Sequence, residues 1–198
     1  MNAATPMTFL VLLAPIAAWA QKIDVSNHSI ACDTVIGTAW FKPSLVIGGT
    51  ATSTVMRVKG SVAGCTVAGP SSPSILSGKL SGKIAGTSNE CITLAKPLTG
   101  TLKIKWKADE TTPILPTSSM LNVTNVSFTG FLAPWGASYG QFSLGTSGVT
   151  GAFTGGDNGA TSSNVSLTSQ DIGEILAECG SSTGLKQLNT GLGHITLK

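Results

Sequence analysis

The sequence predicts an all-β protein, built as an antiparallel β-sandwich or a flattened β-barrel, with one short α-helix near the C-terminus. Composition and patterning both point to this class. Of 198 residues, 24 are glycine, 11% are charged and 41% are hydrophobic. Apolar and polar residues alternate in short segments, which Gly- and Pro-rich turns separate. Such alternation is typical of antiparallel sheets with one face on the core and the other in solvent.

The chain divides into a leader and one domain. Residues 1–20 contain an apolar run at 7–18, which ends in small residues at Ala18 and Ala20. This is the pattern of a secretory signal peptide, and the run is too short for a typical transmembrane helix. We therefore predict a single β-rich domain at residues 21–198, secreted or associated with the cell envelope, with no transmembrane segment in the mature chain.

The strands are predicted from period-two alternation. The clearest case is 101–108, where Leu102, Ile104 and Trp106 fall on one face and three lysines on the other. Segments 55–62 and 79–85 alternate in the same way. Further strands are predicted at 30–41, 123–131, 139–144, 149–154, 164–168 and 192–197. Turn spacing of this kind suits a domain of about eight to ten strands.

One segment near the C-terminus follows a helical period instead. Its apolar residues recur at i, i+3, i+4 and i+7, and they are Ile172, Ile175, Leu176 and Cys179. This spacing predicts an amphipathic helix over 169–179. A helix this short needs to dock its apolar face on the sheet to be stable.

The cysteine count is even and predicts two disulfides in an exported chain. The cysteines are Cys32, Cys65, Cys91 and Cys179. If 30–41 and 54–65 form an antiparallel hairpin, facing residue numbers sum to about 97 and Cys32 lies opposite Cys65. This arrangement favours the pairs Cys32–Cys65 and Cys91–Cys179. A bond from Cys65 to Cys91 across the next hairpin stays open as the alternative.

The inventory of reactive side chains argues against an enzyme without excluding one. The histidines are His28 and His194, and a lone strand histidine is more often structural than a general base. Asp109 and Glu110 are adjacent, so they would point apart in a strand and suit a solvated turn better. No phosphate-binding glycine loop with Lys-Ser or Lys-Thr and no Cys-x-x-Cys spacing occurs. We predict no catalytic residue, metal or cofactor.

Charge is strongly segregated along the chain. Residues 55–107 hold eight basic residues and one acidic residue, whereas 108–198 hold two basic and six acidic residues. Seven of the basic residues fall on one alternation phase of three consecutive strands: Arg57, Lys59, Lys79, Lys83, Lys103, Lys105 and Lys107. They predict a basic stripe that could bind an anionic cell-wall polymer or polysaccharide. The alternative is a solvated face whose lysines guard sheet edges against aggregation.

A second candidate contact is the aromatic segment at 128–142. Pro134 and Gly136 place Trp135 in a turn, and Tyr139 follows three residues after Gly136. Exposed aromatic rings could form a platform for a sugar or a protein, but because tryptophan is usually largely buried, a structural role that caps an open end of the core is favoured for Trp135. Nucleic acid is not expected, because aromatic residues do not interleave with the lysines.

Three segments resemble small secreted actinobacterial β-rich proteins of unknown function. They are 31–37 (ACDTVIG), the segment at 133–142 (APWGASYGQF) and the Ser182-x-Gly184-Leu185-Lys186 segment. The resemblance covers nearly all of 21–198 and implies secretion and a single domain. It brings no active residues with it.

Three functions remain open at the level of the sequence. The first is a non-enzymatic binding or structural protein that acts outside the cytoplasm through the basic stripe or Trp135. The second is a β-barrel or sandwich that holds an apolar ligand or lipid, which the fold class and positive mean hydropathy allow. The third, with least support, is a hydrolase with an unrecognised site.

Overall fold

The computed structural model describes residues 21–91, 99–132, 138–155 and 164–197. This part of the chain forms ten strands and one helix. The strands are β1 (Ile23–Asp24), β2 (Ser29–Leu45), β3 (Thr54–Ala68), β4 (Ile75–Gly86), β5 (Thr99–Ala108), β6 (Ile114–Leu115), β7 (Ser118–Leu132), β8 (Ser138–Gly151), β9 (Asn164–Asp171) and β10 (Leu185–Leu197). The helix is α1 (Ile172–Gly180).

Eight strands form an antiparallel barrel in the order β10-β2-β3-β4-β5-β7-β8-β9. Strand β9, the last in this order, also pairs with β10, the first. The short strands β1 and β6 form a separate parallel pair. The predicted all-β antiparallel fold with one short helix is therefore confirmed, and its strand pairing is that of a barrel.

The hairpin of β2 and β3 has the predicted register. Facing residue numbers sum to 97 from the pair Ser29 and Ala68 to the pair Lys42 and Val55. Two disulfides are confirmed. One joins Cys32 to Cys65 across this hairpin, with the Cα atoms 4.0 Å apart. The other joins Cys91 to Cys179 over 6.1 Å between Cα atoms, so Cys65 does not bond to Cys91.

The inner faces of the strands form one apolar core. In β5, Leu102 and Ile104 are fully buried, whereas the lysines between them are exposed. In β2, the alternation shifts by one residue after Cys32, where the register with β10 also shifts, since Cys32 faces Ile195 and Val35 faces Gly193. Such a shift is typical of a bulge, and it re-aims the side chains that follow. As a result Phe41 faces the core, and Trp40 faces outward.

The two ends of the barrel are built differently. Where β5 ends and β7 begins, the buried Trp106, Phe153 and Val25 pack beside the β1–β6 pair. Strand β8 ends at Gly151, so the strand predicted at 149–154 is too long, and Phe153 lies in a buried segment after it. At the other end, where β2 ends, the Ile47 N–H donates a hydrogen bond of 3.1 Å to the Cys179 carbonyl of α1.

The helix differs from its prediction in two respects. It begins at Ile172, because the residues from 169 to 171 continue β9 instead of starting the helix. Leu176, predicted on the buried face, is 48% exposed. The docked face within the described side chains consists of Ile175 and Cys179, which are 3% and 1% exposed.

Candidate functional site

The structure places all seven residues of the predicted stripe on the outer face of β3, β4 and β5. Every one of these side chains is exposed. Arg57 on β3 lies opposite Lys83 on β4, and Lys79 on β4 lies opposite Lys105 on β5. We call this surface the basic face, and its members are Arg57, Lys59, Lys79, Lys83, Lys103, Lys105 and Lys107.

The position of the basic face within the sheet argues against a role in guarding edges. Strand β3 pairs with β2 and β4, β4 with β3 and β5, and β5 with β4 and β7. None of the three strands has a free edge, so the lysines do not protect one. Like charges directly opposite each other destabilise a sheet, and none of these three strands carries a carboxylate. The arrangement therefore opposes stability and favours a function that needs the charge.

A second feature of the outer surface is a groove around Trp40, which the sequence analysis did not single out. It has a volume of about 560 Å³ and lies where β10, β2 and β3 run side by side. Trp40 is 38% exposed and faces Arg57 on β3 and Gln187 on β10. Further groove residues are Lys42, Pro43, Lys59 and Lys186. We call this surface the Trp40 groove.

The charges of the groove are all positive. Four exposed cations line it: Lys42, Arg57, Lys59 and Lys186. Within the described part of the chain, no carboxylate forms a salt bridge with any of them. Arg57 belongs to both surfaces, because it faces Trp40 on one side and Lys83 on the other. The Trp40 groove and the basic face are therefore one continuous positive surface across five strands.

The end of the groove at 43–44 is held by hydrogen bonds to neighbouring elements. The Thr54 hydroxyl donates to the Pro43 carbonyl over 3.2 Å. The amide of Asn89 donates to the Ser44 carbonyl over 3.1 Å and accepts from the Ala51 N–H over 2.9 Å. Asn89 is buried, so these bonds are shielded from water and fix the chain more firmly than exposed ones would.

Among the described residues, nothing connects the predicted aromatic platform to the Trp40 groove or to the basic face. Trp135 lies outside the described residues. Tyr139 is part of β8, whose neighbours are β7 and β9, and β7 separates it from β5. The backbone of Tyr139 therefore lies on a different part of the barrel from the basic face.

The other titratable residues do not converge on the groove. His28 is buried, with its Nε2 atom 3.0 Å from the Ser71 carbonyl oxygen, and His194 is exposed on β10. Hydrogen bonds from the Ser26 hydroxyl and N–H hold the pKa of Asp24 below its ordinary value. The Thr111 hydroxyl and N–H do the same for the pKa of Asp109, which lies in the predicted turn. Across the described ranges, no three His, Cys, Asp or Glu side chains cluster as metal ligands would.

Comparisons with protein-family models, curated proteins and solved structures gave no match. The resemblance to secreted actinobacterial proteins therefore stays a prediction. Among the described residues, no helix has the length and apolar character needed to cross a membrane.

Proposed function

We propose that the protein is a secreted or cell-envelope-associated, non-enzymatic binding protein that contacts an anionic polymer through its basic face. The observation that carries this proposal is the placement of seven cations on three fully paired neighbouring strands, without a carboxylate among them. Because like charges oppose each other there, an external anion would relieve the repulsion.

The spacing of the cations favours a polymer over a small anion. Neighbouring strands lie about 4.8 Å apart, and alternate residues of a strand lie about 6.7 Å apart. Adjacent cations are therefore closer than the Debye length of about 8 Å at physiological ionic strength and act together. An exposed ion pair contributes only about 0.2–1 kcal/mol, so a chain that contacts several cations at once would be needed for measurable binding.

The proposed location agrees with the cysteine chemistry. All four cysteines are in disulfides, which persist in oxidising compartments and are rare in the cytosol of most organisms. The apolar run at 7–18 would supply the export signal. An anionic cell-wall polymer or acidic polysaccharide is the kind of partner that such a compartment presents.

The proposal can be tested with residues 21–198 and two polymers, polygalacturonate as the anionic probe and dextran as the neutral control. Binding to polygalacturonate should weaken sharply between about 0.1 M and about 1 M sodium chloride, where the Debye length falls from about 10 Å to about 3 Å. The triple variant Lys103→Gln, Lys105→Gln and Lys107→Gln should bind more weakly, with a nearly unchanged thermal midpoint.

Two control variants separate the basic face from net charge. Lys→Arg changes at the same three positions should retain binding, because the charge stays. The changes Asn27→Asp, Thr66→Glu and Ser72→Glu alter the net charge by the same amount at exposed positions outside the basic face, and they should leave binding nearly intact. Equal affinity of the Gln triple variant and the native chain for polygalacturonate would overturn the proposal.

A further inference from the structure

We infer that the Trp40 groove is a subsite for one acidic sugar residue, with the sugar ring on the Trp40 indole and its acidic group among the surrounding cations. The inference rests on the proposed function for its ligand class, an anionic polysaccharide. It adds a specific recognition site to the diffuse attraction of the basic face.

The exposure of Trp40 is the first argument. Tryptophan is highly buried on average, whereas Trp40 leaves 38% of its surface in water. Its neighbour Phe41 faces the core and is 7% exposed, so the indole is not needed to complete the apolar interior. No described residue forms a hydrogen bond with the Trp40 side chain. A flat apolar ring with a free donor at its edge suits the C–H face and hydroxyl groups of a sugar.

The cations provide the second argument. Lys42, Arg57 and Lys186 reach the groove from three neighbouring strands, β2, β3 and β10. The planar guanidinium of Arg57 can donate two parallel hydrogen bonds to a carboxylate or phosphate group. With no salt bridge to a carboxylate of the described chain, the four groove cations are available to an acidic ligand.

The surrounding sheet favours a sugar over a peptide or a nucleic acid. Around Trp40 and Arg57, β2 and β3 are paired on both sides, so this part of the groove offers no backbone edge to which an acidic peptide could add as a strand. Only one exposed ring is described there, whereas single-stranded nucleic acids stack successive bases on several rings. A volume of about 560 Å³ lies within the usual range for small-ligand pockets.

The test uses residues 21–198 with trigalacturonate, measured by calorimetry and by the change in tryptophan fluorescence. Maltotriose serves as the neutral sugar, hexaglutamate as the acidic peptide and inorganic phosphate as the bare anion. We expect trigalacturonate to bind and maltotriose to bind at least about tenfold more weakly. Trp40→Ala and Arg57→Gln should each weaken trigalacturonate binding at least about tenfold, whereas Trp40→Phe should retain most of it.

The two sites are distinguished by crossing the variants with the probes. The triple Lys→Gln variant of β5 should lose polygalacturonate affinity but keep its trigalacturonate affinity, because two strands, β3 and β4, lie between those lysines and Trp40. Trp40→Ala should instead lose trigalacturonate affinity and keep its polygalacturonate affinity. If the native chain binds polygalacturonate but not trigalacturonate, the subsite is wrong and the proposed function stands. If trigalacturonate binds and the triple variant keeps full polymer affinity, the basic face is wrong and the subsite stands.

Three further results would overturn the sugar assignment itself. One is trigalacturonate affinity that does not change in either Trp40 variant, since the indole would then take no part. Another is hexaglutamate binding as tight as trigalacturonate binding with the same dependence on Trp40. The last is displacement of trigalacturonate by inorganic phosphate at the same concentration, which would indicate a site for any small anion. Trp40→Phe guards against misfolding, because it keeps an aromatic ring at the position.

Discussion

Trp106 and Trp40 show how differently one residue type is used at two places in the barrel. Trp106 is 4% exposed, and its indole N–H donates a hydrogen bond of 2.8 Å to the Ser119 hydroxyl. Its ring meets that of Phe153 edge-on, with centroids 5.2 Å apart and planes at 86°. Trp40 is 38% exposed and is surrounded by cations. The polar groups around Trp106 are satisfied within the protein, whereas the cations around Trp40 have no carboxylate partner among the described residues.

The difference lies in how far the polar groups are satisfied. Around Trp106 the hydrogen bonds form a chain, because the Ser119 hydroxyl that accepts from the indole donates in turn to the Ala152 carbonyl over 2.6 Å. Buried polar groups that are fully paired stabilise one defined core. Around Trp40 the charges share one sign. This difference agrees with a structural role for Trp106 and with the binding role that we propose for Trp40.

The largest expected effect comes from removing the buried ring. Trp106→Ala should lower the free energy of unfolding by about 3–5 kcal/mol, because it leaves a cavity beside Phe153 and removes the N–H that donates to the buried Ser119 hydroxyl. Urea unfolding of the chain 21–198 followed by far-UV circular dichroism measures the change. Trp40→Ala is the matched control and should cost less than about 1 kcal/mol, since the ring is partly exposed. Equal losses in the two variants would contradict the division between a structural and a binding tryptophan.

The two disulfides allow the stability that each end of the barrel gains from a covalent link to be compared. Cys91 and Cys179 are 88 residues apart in sequence, and Cys32 and Cys65 are 33 apart. Replacing Cys91 and Cys179 with Ala should cost about 2–4 kcal/mol, and by loop-closure entropy about 0.9 kcal/mol more than replacing Cys32 and Cys65. Denaturant unfolding of both double variants checks the order. A smaller loss for the Cys91–Cys179 variant would show that the anchored helix contributes little.

Most of the fold could be predicted because its signals are local. Alternation at 101–108 marks a strand with one solvent-exposed face, and the antiparallel hairpin of 30–41 with 54–65 predicts the register that places Cys32 opposite Cys65. The same register places Trp40 opposite Arg57, and Trp40 shares its alternation phase with Lys42. The sequence therefore contains part of the signal for the groove.

The rest of the groove could not be predicted from local patterns. Lys186 reaches it only because β10 pairs with β2, which joins the last strand of the chain to the first long one. Nothing in the alternation of either segment specifies that contact. The start of α1 was misplaced for a related reason. Residues up to Asp171 gain strand pairing with β8, and this tertiary contact prevails over the helical pattern.

A smaller effect is expected at the support of the groove. Asn89→Ala removes the donor to Ser44 and the acceptor for the Ala51 N–H, so it should cost about 1–3 kcal/mol of unfolding free energy. It should also weaken trigalacturonate binding, because residues 43–44 lose a fixed position. Asn122→Ala, at an exposed site on β7, should stay within about 0.5 kcal/mol of the native chain. If Asn89→Ala destabilises the chain but leaves trigalacturonate affinity unchanged, the support does not shape the groove.

The smallest effect concerns the turns at the end of the barrel beside Trp106. Hydrogen bonds from Ser26 and Thr111 lower the pKa values of Asp24 and Asp109 from 3.8; Asp24 is exposed and Asp109 is partly exposed. A lowered folded-state pKa contributes stability above the unfolded value, and this stability is lost as the pH falls through the folded value. The double variant Asp24→Asn and Asp109→Asn should therefore be slightly less stable than the native chain at pH 7, and the difference should shrink as the pH falls below 3.8 and vanish below the lowered folded-state pKa values. The double variant Ser26→Ala and Thr111→Ala keeps the charges but removes the hydroxyl donors. It should also be slightly less stable than the native chain at pH 7, and this difference should shrink at low pH. Thermal midpoints measured from pH 7 down to about pH 2 test it, and curves that stay parallel over that range would show that these turns add no pH-dependent stability.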